Sequence, residues 1–297
     1  FLKGLQKSIP PPLYQSMLRE RTLAALKRMV KVNPLVMCVT NRVTPQRVAD
    51  VLLAAGASPA MVDNPDEVHA FSLISKAVYV NTGLHQSQVA ALERIASTPT
   101  PVILDPVGFG ATSYRNEAIS DFLSSVKRLT VIKGNANEIC GLAGYQGKGQ
   151  GVDSDASTAI AIEPAKTLAN THECVVGISG DTDIVVSADG KKAIKVVGDV
   201  PMMAQITGTG CSLGALVAAS VGANIDETPE GQNESSSAFY GALAAHSMFT
   251  AAAVRASART DVRGPGGLSI ALMDELAQLA GDPVAVMEAV ELHECAV

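Results

Sequence analysis

Apolar residues fall along the chain in two patterns. Short continuous runs occupy 34–40 (PLVMCVT), 77–82 (AVYVNT), 101–106 (PVILDP), 129–134 (LTVIKG) and 174–180 (CVVGISG). Continuous rather than alternating apolar runs of this length read as strands buried on both faces, as in a parallel sheet. Between them, 45–55, 86–97, 115–127, 136–143 and 158–171 carry helical spacing. Repeated strand–helix–strand units predict an α/β fold, a three-layer αβα sandwich around a mostly parallel sheet. Residues 183–197 differ, with two strand-like runs around Asp189-Gly190 that predict a hairpin. From residue 211 onward the pattern is almost wholly helical. Residues 3–30 predict an additional helix, interrupted early by Pro10, Pro11 and Pro12.

These patterns divide the chain into an N-terminal helical extension, 1–33, and one α/β domain, 34–297. The polar Gly- and Ser-rich stretches 144–157 and 226–237 do not separate regions of different composition, so they read as insertions rather than linkers. Whether 144–157 closes over a site as a lid is open from sequence.

Composition removes several classes of function. The chain has 297 residues, 47% of them hydrophobic, and a net charge of −6, which argues against a nucleic-acid or anionic-membrane partner. Trp is absent and aromatics make up 4%, too few for a base-stacking platform. Five cysteines stand far apart without C-x-x-C spacing, and five histidines are equally scattered, so neither a disulfide framework nor a zinc site is expected. Unpaired thiols fit a reducing, cytoplasmic compartment. The chain opens on Phe1 rather than Met, which reads as a trimmed start and leaves an organellar location open.

Ligands of open α/β sheets bind beyond the carboxyl ends of the strands. Those ends read Thr40-Asn41, Asn81-Thr82-Gly83, Asp105-Pro106-Val107-Gly108, Lys133-Gly134-Asn135 and Ser179-Gly180-Asp181. Singly, each is an ordinary turn or helix cap. Together they set carboxylate, amide, cation and hydroxyl groups along one edge. Gly208-Thr209-Gly210-Cys211 then precedes a helix beginning near Cys211, whose free N–H groups and dipole make an anion site. A Walker A reading of GYQGKG fails, because Leu142 stands where the first glycine should be. A dinucleotide-binding reading of Gly208-x-Gly210-x-x-x-Gly214 lacks a strand just before it and an acidic strand end about 20 residues on. A loop–helix element holding the transferring phosphoryl group of a kinase fits best.

The segments VTNRVTPQRVADVLLAAGASPAM (39–61), ILDPVGFGATSYR (103–115), VIKGNANEI (131–139), ISGDTD (178–183), ITGTGC (206–211) and GPGG (264–267) resemble, in order and spacing, the hydroxyethylthiazole kinases of the ribokinase-like superfamily. The resemblance spans about residues 34 to 280. It implies a ribokinase-like fold, ATP and Mg²⁺ as cofactors, and transfer of a phosphoryl group to the hydroxyethyl group of 4-methyl-5-(2-hydroxyethyl)thiazole. By resemblance, Gly208, Thr209, Gly210 and Cys211 form the anion hole, with Cys211 where most of the superfamily carries a catalytic aspartate. Lys133, Ser179 and Asn135 fall on the ATP side, and Asp105 and Glu138 on Mg²⁺ or its waters. Asn41, Val43 and Met61 fall on the thiazole, and active sites shared between subunits of a homotrimer are implied. Arg42, Pro45, Gln46 and Asp50 depart from the family pattern and bear on substrate preference. A thiol at a helix N-terminus has a lowered pKa, so partial thiolate is expected at Cys211. Kinases of a hydroxymethylpyrimidine or sugar, a nicotinamide dehydrogenase and a non-catalytic nucleotide sensor are the competing readings.

Overall fold

A computed structural model describes residues 11–83, 85–145, 157–225 and 233–295. Most of both predicted insertions, 146–156 and 226–232, and the first ten residues lie outside these, as does any reading of 144–157 as a lid. Five parallel strands follow the five apolar runs: β1 (Leu35–Val39), β3 (Ala77–Asn81), β4 (Val102–Asp105), β5 (Leu129–Asn135) and β6 (Val175–Ser179). The predicted hairpin forms as β7 (Asp183–Val186) and β8 (Ala193–Val197), turning at Gly190 with φ of +65°. Two short strands were not predicted, β2 (Ser58–Met61) and β9 (Glu291–Glu294). Among the described residues they complete one nine-stranded sheet in the order β2-β1-β3-β4-β5-β6-β7-β8-β9. It is parallel from β2 to β6 and antiparallel from β6 to β9.

Successive side chains of a strand point to opposite faces, and the core divides accordingly. On β1, Val36 and Cys38 pack with α2 (Pro45–Ala54), α8 (Thr209–Ile225) and α9 (Glu234–Ser257), whereas Met37 and Val39 pack with α4 (Gln86–Ile95) and α5 (Ser113–Ser125). Helix α8 runs between the sheet and other helices, which is why it is small and apolar on every side and buried from Ser212 to Ile225. Among the described residues the N-terminal helix α1 spans Pro11–Val32, and the part of the predicted helix before residue 11 lies outside them. Its Leu18, Ala25, Leu26 and Met29 belong to the same buried cluster as α8 and α9. A short helix, α3 (Val68–Ile74), was also unpredicted. Helices α6 (Ala136–Leu142) and α7 (Ile162–His172) pack with β5 and β6, and α10 (Pro265–Gly281) packs beside α9 and α2. Among the described residues no helix is long and apolar enough to cross a membrane.

Candidate active site

The carboxyl ends of β4, β5 and β6 open into a cleft of about 520 Å³, closed on one side by the glycine loop and α8. Asp105, Lys133, Asn135, Glu138 and Ser179 line it, together with the whole of Gly208–Cys211. Helix α8 begins at Thr209, two residues before the predicted start, so Gly208 is the turn that feeds it. Gly208 has φ of +85°, and a Cβ there would stand 2.8 Å from Thr44 Cγ2, so both conformation and space exclude a side chain. Thr209 turns its hydroxyl back to the Ile206 carbonyl at 3.3 Å.

Lys133 is the centre of charge. Its side chain is 3% exposed, donates from Nζ to the Gly210 carbonyl at 3.0 Å and stands 3.8 Å from Asp105 Oδ2. Burial alone would lower this ammonium, but the charges of Asp105 and Glu138 outweigh it and raise it above its ordinary value. Every hydrogen bond given for the Asp105 carboxylate falls on Oδ2, from Tyr79 Oη at 2.8 Å and Asn81 Nδ2 at 3.1 Å. Burial lifts the Asp105 carboxyl despite the pull of Lys133. Burial and then the Asp105 charge push Glu138 up to about 7.

Glu138 and Asn135 form a capping box at the start of α6, with the Asn135 side chain accepting from the Glu138 N–H and Glu138 Oε2 from the Asn135 N–H. Glu138 Oε1 accepts the Gly108 N–H at 3.0 Å. Two buried, hydrogen-bonded carboxylates thus flank one ammonium, a set of hard oxygen atoms of the kind a divalent cation takes. Asp105 keeps one oxygen clear of the network, while both oxygens of Glu138 are engaged with backbone. Asp105 is thus the residue with an oxygen available to a divalent cation, while among the described residues no cluster of three ligating side chains forms.

Cys211 stands at the inner end of the cleft, where Asn41 Nδ2 at 3.4 Å and Asn81 Nδ2 at 3.3 Å both donate toward its sulfur. The expectation of a lowered thiol pKa is corrected. Burial, followed by the Asp105 charge, raises Cys211 above the usual thiol range. Lys133 and the hydrogen bonds from Thr44 and Asn41 pull the other way but do not offset these, so the thiol form is favoured.

The residues predicted for the thiazole do not all converge. Asn41 does not line the cleft but reaches Cys211, which does, and is bonded also to Asn81 Oδ1 at 2.9 Å and Thr44 Oγ1 at 3.0 Å. Val43 and Met61 are 75% and 38% exposed and do not line the cleft. Ser179 sits at the rim, its hydroxyl 3.5 Å from the Gly134 carbonyl. Sequence reasoning missed Tyr79, which reads as one more apolar strand residue, and Arg115. From α5, Arg115 Nη1 donates to the Thr82 and Val107 carbonyls at 2.8 and 3.0 Å and ties the ends of β3 and β4 together.

The sequence profile of the hydroxyethylthiazole kinase family matches residues 26–282. The chain is 39% identical over 266 residues to the hydroxyethylthiazole kinase of Corynebacterium glutamicum, covering 88% of this chain and 94% of that one. It is 40% identical over 266 residues to that of Kineococcus radiotolerans, covering 88% and 90%. The solved structure of a hydroxyethylthiazole kinase protein from Pyrococcus horikoshii superposes with a TM-score of 0.77 at 28% identity, over 93% of this chain and 100% of that chain. A pyridoxal kinase from Staphylococcus aureus, solved with AMP-PCP and pyridoxal, matches at a TM-score of 0.56 and 13% identity, over 89% and 98%, and shares the fold alone. The chain belongs to the hydroxyethylthiazole kinase family, and is a phosphotransferase with the ribokinase-like fold.

Proposed function

We propose that the cleft transfers the γ-phosphoryl group of ATP to the hydroxyethyl oxygen of 4-methyl-5-(2-hydroxyethyl)thiazole, a step of thiamine synthesis or salvage. One observation carries the reading. A glycine turn at the start of α8, a buried Lys133 and two carboxylates line one cleft beside Cys211. The free N–H groups of the α8 start face the charge that spreads over the transferring group. Lys133 adds a fixed positive charge that the protein never has to reorganise. Magnesium, held by Asp105 and through water by Glu138, would neutralise phosphate charge when bound.

The acceptor oxygen attacks phosphorus, the bond to the β-phosphate oxygen breaks, ADP leaves, and the hydroxyl proton passes late to an oxygen of the transferred phosphoryl group and from there to water. A loose transition state needs little help in removing that proton early. A neutral Cys211 thiol, held by two amides, is suited to positioning the hydroxyl rather than to acting as a strong base. The apolar end of the cleft, with Val196, Met203, Phe249 and Ala253, suits the nucleotide base.

The acceptor side is completed between subunits in this reading. Val43 and Met61 lie exposed, Met61 on β2, an edge strand with no partner on its outer side among the described residues, and Leu53 is also 62% exposed. A homotrimer that covers this edge would bring both residues onto the site, and light scattering of the purified protein reports the subunit number. The activity is tested by ADP release with Mg·ATP and hydroxyethylthiazole, a hydroxymethylpyrimidine or ribose offered separately. Thiazole-dependent turnover is expected. Turnover only with the pyrimidine or the sugar would replace the assignment.

A further inference from the structure

One titratable pair joins the cleft wall to a buried ring and has no part in the chemistry above: Asp183 lines the cleft and His246 lies behind it. His246 is on α9, is fully buried, and places Nδ1 2.8 Å from Asp183 Oδ2. Its other nitrogen, Nε2, has no hydrogen-bond partner. A carboxylate only accepts, so Nδ1 is the donor in this pair. Gly177 on β6 faces Nε2, and a Cβ there would lie 2.8 Å from that nitrogen, so the strand is notched to admit the ring. Gly177 is the register partner of Lys133 on the next strand.

Asp183 is the link to the cleft. Its Oδ1 accepts the Gly180 N–H at 3.2 Å, while Oδ2 takes His246. The two oxygens of one carboxylate thus connect a buried ring on α9 to the turn Ser179-Gly180-Asp181 at the cleft rim. Asp183 also contributes to the field that raises Lys133. No other side chain given for the described residues bonds to Asp183. Without His246 the carboxylate would keep one backbone bond and a free rotor, and the turn would lose its fixed anchor.

We propose that His246 is a positioning residue for the nucleotide: it fixes Asp183, and through Asp183 the Gly180 turn against which the ATP phosphates are held. The inference rests on the kinase reading for the identity of the nucleotide, but its direct test is binding without acceptor. His246→Leu removes the donor at similar volume, and His246→Asn replaces Nδ1 by an amide donor at the same reach. Titration with a fluorescent ATP analogue, Mg²⁺ present and thiazole absent, should show about tenfold weaker binding for His246→Leu. His246→Asn should return to within about threefold of wild type. Deuterium exchange of the peptide bearing Gly180 should quicken in His246→Leu and not in His246→Asn. In turnover, KM for ATP should rise while KM for thiazole stays within about twofold.

Equal losses in the two variants would overturn the proposal. So would an equal rise in both KM values with a lowered Tm, which marks a packing role alone. Should His246→Leu fail to fold, Asp183→Ala supplies the test. In that background His246→Asn must leave nucleotide affinity unchanged, and any further weakening refutes action through Asp183. A wild-type protein that binds the analogue but does not phosphorylate thiazole would instead refute the substrate assignment and leave this inference standing.

Discussion

Gly208→Ala separates backbone strain from damage to the anion loop. At φ of +85° an alanine would cost about 1–2 kcal/mol of conformational strain wherever it stood. Here its Cβ would also meet Thr44 Cγ2 at 2.8 Å and Arg47 Cδ at 3.2 Å. Carbon atoms rest at about 3.5–4.0 Å, so the loop or Thr44 must retreat by roughly 0.7 Å or more. Thr44 is itself buried and holds Asn41, which donates to Cys211, so a retreat on either side moves the reacting centre. A misplacement of about 1 Å costs on the order of 10²-fold in rate, so kcat/KM should fall by about 30- to 100-fold. Tm should fall by a few degrees, at roughly 2–4 °C per kcal/mol for a domain of this size. Gly110→Ala is the control, since Gly110 has φ of +89° but nothing within 4 Å of its added Cβ. It carries the same strain without the contact and should lower Tm similarly while leaving kcat/KM within about twofold. The assay is coupled ADP release at saturating Mg·ATP and varied hydroxyethylthiazole, with a thermal melt of each variant. Wild-type turnover by Gly208→Ala, or an equal loss in Gly110→Ala, would refute the reasoning.

Three further outcomes follow from the same geometry. Cys211→Ser keeps a small hydroxyl donor and acceptor between Asn41 and Asn81, so kcat should drop by about tenfold without vanishing; complete loss with a phosphorylated thiol trapped in the wild type by mass spectrometry would mean a covalent route. Alkylation of Cys211 by iodoacetamide, followed by peptide mass, should climb with pH through and beyond 9, because burial and the Asp105 charge favour the thiol form; a half-maximal rate at or below pH 8 would contradict the raised pKa. Tyr79→Phe deletes one oxygen that donates to Asp105 and accepts from Asn81, leaving shape intact. It should lower unfolding free energy in urea by about 1–3 kcal/mol, and a loss below about 0.3 kcal/mol would show that the Asp105 network does not depend on it.

How much of this was legible in the sequence depends on where each residue's partners lie. The five central strands were readable because a strand buried on both faces must be apolar at every position. The edge strands were not. β2 is four residues, SPAM, beginning one residue after Ala57 and containing a proline, which an edge position tolerates. β9, ELHE, is mostly polar because a single one of its four residues, Leu292, is buried. The phosphate side of the site was equally readable, since Asp105, Lys133, Ser179 and the glycine loop all stand at ends that the fold class brings to one edge. Tyr79 and Arg115 carried no such signal. Their value lies in which strand is the neighbour, and strand order is not written in any one segment.

Cys211 shows the limit of a local rule more sharply. Position at a helix start argues for thiolate, and position in the folded chain reverses it. The cleft already holds Asp105 beside the sulfur, and Lys133, the nearest compensating cation, is engaged with that carboxylate and with Gly210. A second anion there would have no unshared partner. The two amides aimed at the sulfur are then best understood as fixing the orientation of a neutral group. Asn41 supplies one of them, and it is itself held in place by Gly83, where a Cβ would stand 2.6 Å from the Asn41 Cα. So the backbone following β3 approaches that following β1 closely, which only a glycine at 83 permits. In the proposed reading the acceptor side has the hydrogen-bonded Asn41, Asn81 and Cys211 at its base and the exposed Val43 and Met61 farther out. Substrate preference should therefore be altered more readily by changes at Val43, Met61 or their departing neighbours Arg42 and Gln46 than by any change at the base, which should reduce turnover of every acceptor alike.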